Sequence, residues 1–126
     1  MLLLDRDYSE QELNEVHRIT GHEETVLAMA DFSPGPWWGF NGIQTLVVTS
    51  NHLHVVQRGV ALTRGRLRKS VPTDSIRAVE WHVRRLLGRE AVRMTVTADG
   101  WRSTFTSKYR QGVEVAKTLA QYATSG

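Results

Sequence analysis

The side chains able to do chemistry in this 126-residue chain are few and scattered. Histidines stand at His17, His22, His52, His54 and His82. His52 and His54, two positions apart, would share one face of a strand and offer paired imidazoles to a metal, but no third ligand follows at a recognisable spacing. Surface or turn histidines account for the pattern. The acids Asp5, Asp7, Glu10, Glu12 and Glu15 crowd the N-terminal stretch, where they suit the start of a helix rather than a paired-carboxylate site. The chain has no cysteine, hence no thiol nucleophile, thiolate zinc site or disulfide. It carries no GxSxG, phosphate loop or dinucleotide fingerprint, and Gly39-Phe40-Asn41-Gly42 reads as a turn. Neither an enzyme nor a bound cofactor or metal is expected.

Two stretches hold residue types suited to binding. Arg64-Gly65-Arg66-Leu67-Arg68-Lys69 is the densest basic run. On a strand, Arg64, Arg66 and Arg68 share one face at roughly 7 Å steps and Leu67 takes the other. Such a face is a ribbon for phosphates or acidic side chains, or else a solvated sheet surface that guards an edge. No aromatic interleaves with the charge for base stacking, which disfavours nucleic acid. The second stretch, Ser33 to Phe40, reads SPGPWWGF. Its prolines and glycines make it a loop, yet it carries Trp37, Trp38 and Phe40 and no charge. Three readings stand: a ring folded back over the mouth of the fold, a protein hot spot, or insertion at a lipid–water interface.

The balance of 16 basic against 13 acidic residues gives a net charge of +3 and favours anionic partners weakly. Lysine occurs only at Lys69, Lys108 and Lys117, an arginine bias that fits a GC-rich actinobacterial or phage genome. Hydrophobic residues at 40% and charged residues at 23% describe an ordinary soluble domain. No apolar run reaches the length of a membrane span, and Met-Leu-Leu-Leu is too short for a signal-peptide core. A cytoplasmic location is expected.

The elements that must position these residues follow from local pattern. Ser9 and Glu12 match a capping box, with Leu13, Val16 and Ile19 at helical spacing and Gly21 as a stop. Strands are expected over 25–32, 43–49, 53–58, 60–70 and 76–84, the last with Val79, Trp81 and Val83 on one face. Ser50-Asn51-His52 is a compact turn. Val92, Met94 and Val96 alternate with Arg93, Thr95 and Thr97 up to Asp99-Gly100, and Trp101, Ser103 and Phe105 continue the alternation, the strongest hairpin signal in the chain. A second helix is expected over 109–123, with Val113, Ala116, Leu119, Ala120 and Ala123 as its apolar stripe. Seven strands in an antiparallel meander should curl or close, with the last helix over an open end.

That order resembles the pleckstrin-homology-like (PH-like) domains of bacteria. The likeness is carried by GIQTLVVTSNHLHVVQRG (42–59), by VPTDSIRAVEW (71–81) and by the closing stripe over 113–123, and it extends from Glu23 to Ala123. It implies a mainly β (α+β) fold, a curled antiparallel barrel of about seven strands with an N-terminal helix and a C-terminal capping helix. Its two bent sheets would pack nearly orthogonally. The chain then divides into an N-terminal helical extension (1–22) and the PH-like domain (23–126). The resemblance implies no catalysis. In lipid-binding members, basic residues at the end of strand one and in strand two hold headgroup phosphates. The matching stretches here, 29–33 and 43–49, contain no Lys or Arg, so the charge-assisted donors that phosphate needs are missing. The expectation is a non-catalytic module acting through protein contacts, with a separate partner or as a homo-oligomer. Trp37, Trp38 and Phe40 would be its apolar anchors and Arg64, Arg66 and Arg68 its charged rim. The alternative is peripheral binding to an anionic membrane through the 33–40 loop and the 64–69 strand.

Overall fold

The computed structural model describes residue 3 and residues 8–20, 25–35, 42–57, 65–86 and 89–124. Helix α1 (Glu10–Thr20) begins at the expected capping box: the Glu12 N–H donates to Ser9 Oγ and the Ser9 N–H to Glu12 Oε1, each at 3.2 Å. Seven strands follow: β1 (Val26–Pro34), β2 (Gln44–Thr49), β3 (His52–Gln57), β4 (Arg66–Pro72), β5 (Ile76–Leu86), β6 (Arg89–Ala98) and β7 (Trp101–Ser107). A single 3₁₀ turn, Thr73–Ser75, joins β4 to β5, and α2 (Gln111–Thr124) ends the described chain.

All strand pairs are antiparallel, in the order β4-β3-β2-β1-β7-β6-β5. The expected two halves are one continuous sheet, because β1 belongs to both. Its first part pairs with β2, and its last two residues pair with β7 through Ser33–Thr106 and Pro34–Phe105. Pro34 lacks an N–H and therefore sits where the ladder is ending. Among the described residues, β4 and β5 each pair on one side only and form the two free edges.

Alternation decides which side chains are inside. Val92, Met94 and Val96 on β6 are fully buried, while Arg93, Thr95 and Thr97 between them are half-buried. Gly100 turns β6 into β7 at φ 72°, a left-handed conformation that costs glycine little. Phe32 of β1 meets Phe105 of β7 edge to face, ring centroids 6.1 Å apart, with Leu46, Leu53, Ile76 and Met94 around them. Helix α2 packs on β5, β1 and β2 and closes this core with Val115, Ala116 and Leu119.

The apolar stripe of α2 differs in phase from expectation. Val115 is fully buried and Val113 is only half-buried. Gly112 sets this phase. A Cβ there would fall 2.9 Å from Ser107 Cβ and 3.3 Å from Phe32 Cζ, so the first turn lies hard against β7 and β1. The inward face therefore runs 112, 115, 116, 119.

A second, smaller core lies on the outer face of the sheet. There Val16 of α1 buries against Met29, Val47 and Val56, with Tyr8, Leu13 and Val26 around it. This layer corrects the histidine reading. His54 is fully buried rather than at a surface, stacked on half-buried His52 with ring centroids 5.1 Å apart and its Nδ1 2.8 Å from Ser70 Oγ. Its phase on β3 matches Val56, and the outer face is covered here rather than solvated.

Candidate interaction surface

The aromatic loop leaves the sheet where β1 meets β7 and returns at Gly42. Its first foot is held by the Gly35 N–H donating to the Thr104 carbonyl at 2.7 Å and by Thr106 Oγ1 donating to the Gly35 carbonyl at 2.8 Å. Its second foot is tied to the first, because Ser33 Oγ donates to the Gly42 carbonyl at 2.9 Å. Gly35 and Gly42 take φ of 90° and 85°, which lets the chain turn out of the sheet and back. Trp37, Trp38 and Phe40, which the sequence marks as anchors, lie outside the described residues, as does Arg64.

Arg66 and Arg68 stand exposed on β4, a free edge, next to exposed Lys69 and Leu67. The strict alternation expected of the run is broken. Leu67 pairs with Val56 and Lys69 with Val55, so Arg68 is the extra residue of a β-bulge. The bulge spreads the cations around the edge instead of aligning them on one face. None of Arg66, Arg68 and Lys69 forms an ion pair or side-chain hydrogen bond with a described residue.

Other cations are engaged. Arg77 makes two hydrogen bonds to Asp99, at 2.9 and 2.7 Å. This contact lifts the Arg77 guanidinium above its ordinary value and holds the Asp99 carboxyl below the usual carboxylate range. Arg18 bonds Glu15 through Nε at 3.0 Å, and the same hydrogen bond raises its pKa. Arg110 donates to Glu114 one turn along α2 at 2.9 Å. Arg66, Arg68 and Lys69 differ from these three arginines in making no such bond to a described residue.

The second free edge adds a feature that sequence reasoning missed. His82, Val83, Arg84 and Arg85 are all exposed, Val83 at 42%, and β5 past Trp81 pairs with β6 out to Leu86. The register puts His82 opposite Arg93 and Arg84 opposite Ala91 on the outer face. The apolar phase, Val79-Trp81-Val83, is easily read; the intervening Glu80, His82 and Arg84 look like an ordinary solvated face until Arg93 is placed beside them.

The two stretches matching the phosphate-binding positions of lipid-binding domains are unsuited to that use. Of 29–33 and 43–49, all are buried except half-buried Ile43 and Gln44, and the charged residue among them is an acid, Asp31. Among the described residues, no group of three or more His, Asp or Glu side chains is placed to hold a metal. Among the described residues, no helix is long and apolar enough to cross a membrane.

No protein-family profile and no curated protein matches this sequence. A solved structure does match: the crystal structure of a pleckstrin homology domain from Shewanella amazonensis SB2B is similar over 90% of this chain and 96% of its own. The sequence identity is 18% and the TM-score 0.54. At that identity the likeness establishes the architecture. The chain has a PH-like fold, with the curled antiparallel sheet, N-terminal helix and C-terminal helix that the residue pattern implies.

Proposed function

We propose that this chain is a non-catalytic binding module that docks an acidic protein surface. Trp37, Trp38 and Phe40 serve as apolar anchors, and Arg64, Arg66 and Arg68 as a cationic rim. The observation that carries this reading is the set of exposed cations at Arg66, Arg68 and Lys69 on the edge strand β4, none bonded through its side chain to a described residue. Rim charges of this kind steer a partner and fix its register, while aromatic anchors supply the affinity. A second copy of the chain is the partner if the protein self-associates. The burial of 29–33 and 45–49 speaks for protein over lipid headgroup, since it leaves no donors where phosphate would sit.

Affinity capture with the full chain, followed by direct binding of the purified prey, tests the proposal, and sedimentation velocity tests self-association. W37A/W38A and R66E/R68E are each expected to lose the partner while keeping the parent circular-dichroism spectrum, and binding should weaken with salt. Unfolding of W37A/W38A would place the rings in the core. Co-sedimentation with anionic but not neutral vesicles would replace the protein partner with a membrane surface.

A further inference from the structure

A cleft of about 580 Å³ opens at the other end of β2 from the aromatic loop, where the β2–β3 turn, the Thr73–Ser75 turn and the last turns of α2 meet. Asn51, His52, Thr73, Asp74 and Tyr122 line it. Its floor is fixed by hydrogen bonds that use up donors. The Thr73 N–H bonds the Asn51 carbonyl at 3.0 Å and Thr73 Oγ1 bonds the Ser50 carbonyl at 2.9 Å. The N–H groups of Asn51 and His52 both go to Thr49 Oγ1, at 3.3 and 3.0 Å. One wall is equally set, because the His52 ring stacks on buried His54, which Ser70 holds in turn.

The charges around the cleft point one way. Among the described residues, no Lys or Arg lines it. Arg77, the cation that feels Asp74, is committed through both its bonds to Asp99. Helix α2 brings the negative end of its dipole here with no basic residue in its last turn. The cleft thus presents a carboxylate, a helix C-terminus and two ring systems, those of His52 and Tyr122, with the backbone N–H groups of Asn51, His52 and Thr73 already bonded.

We propose that this cleft binds a guanidinium group, presented by an arginine side chain of a partner segment or by a small arginine-like molecule. A guanidinium is planar, stacks on rings and donates a fork of N–H groups to a carboxylate. The site is separate from the aromatic loop and does not depend on the docking role proposed above.

Amide chemical-shift titration of the full chain tests the site with three probes: Nα-acetyl-arginine amide, the peptide Gly-Arg-Gly, and the citrulline counterpart of the first, which keeps the shape and loses the charge. Saturating shifts at Asn51, Thr73, Asp74 and Tyr122 are expected with the arginine probes at about millimolar concentration. D74N, a change at an exposed position, should weaken binding roughly tenfold. Binding of both arginine probes assigns a site for the free group; binding of the peptide alone assigns one for a partner's side chain. Absence of saturation, equal binding of the citrulline compound, or an unaltered D74N would each overturn the assignment.

Discussion

Tyr8 Oη donates a 3.0 Å hydrogen bond to Asp31 Oδ1, and the buried Thr45 hydroxyl donates to the same oxygen at 2.7 Å. This pair fastens the residues that lead into α1 to the outer face of β1. Tyr8→Phe removes one donor and leaves the carboxylate with Thr45, so a loss of about 1 kcal/mol is expected in urea denaturation. Asp31→Ala removes the acceptor shared by the Tyr8 and the fully buried Thr45 hydroxyls and should cost more, on the order of 1–3 kcal/mol. Equal stability of both variants and the parent would show the contact to be idle.

Gly112 separates helix propensity from packing. In an open helix, alanine is more favourable than glycine by up to about 1 kcal/mol. Here the added methyl meets Ser107 Cβ at 2.9 Å and Phe32 Cζ at 3.3 Å. Ser107 cannot move aside freely, because its hydroxyl donates to the Asp31 carbonyl at 2.7 Å and accepts from the Tyr109 N–H at 3.1 Å. Gly112→Ala should therefore destabilise by about 1–3 kcal/mol despite its propensity. A stability gain on thermal or chemical unfolding would mean that α2 shifts cheaply.

Local chemistry was legible and non-local chemistry was not. The Ser9–Glu12 capping box and the Asp99-Gly100 hairpin each need only a few adjacent residues, and both form as expected. The closure of β1 on β7 rests on two residue pairs more than 70 positions apart and has no signature in either strand. His54 is buried in the same strand phase as Val56, which packs on distant α1, and the inward phase of α2 depends on a glycine meeting β7. At the candidate surface, Arg66 and Arg68 were recognisable as exposed, whereas the bulge that redirects Arg68 appears only once β4 is paired. The His82–Arg93 pairing was hidden because charge on the polar phase of a strand looks the same whether or not a partner uses it.

Arg77 and Asp99 predict a particular acid response. Asp99 is held below the ordinary carboxylate range chiefly by its hydrogen bond from Arg77. A carboxyl whose folded pKa is depressed contributes its stabilisation fully above the unfolded pKa and loses it as pH falls through the folded one. Replacing Arg77 with Gln should move the Asp99 side-chain carboxyl titration up toward the usual range, read by carbon chemical shift. Both side chains are more than half exposed, so high salt should shrink the difference. An unmoved Asp99 midpoint would mean that the pair is not formed in solution.

Thr106 tests whether the feet of the aromatic loop govern the loop itself. The side chain is fully buried and its hydroxyl reaches the Gly35 carbonyl at 2.8 Å, across 71 positions of sequence. Valine has nearly the same shape and no donor, so Thr106→Val should cost about 1 kcal/mol of global stability. Local opening is a separate equilibrium, set by the few bonds at the loop's base. Chymotrypsin cuts after Trp and Phe, so nicking at 37–40 reports that equilibrium when cleavage is slow relative to reclosing. The rate of nicking should rise several-fold in Thr106→Val at a urea concentration where both proteins remain folded. A rate that follows only the change in global stability would mean that Ser33 and Gly42 hold the loop without help from β7.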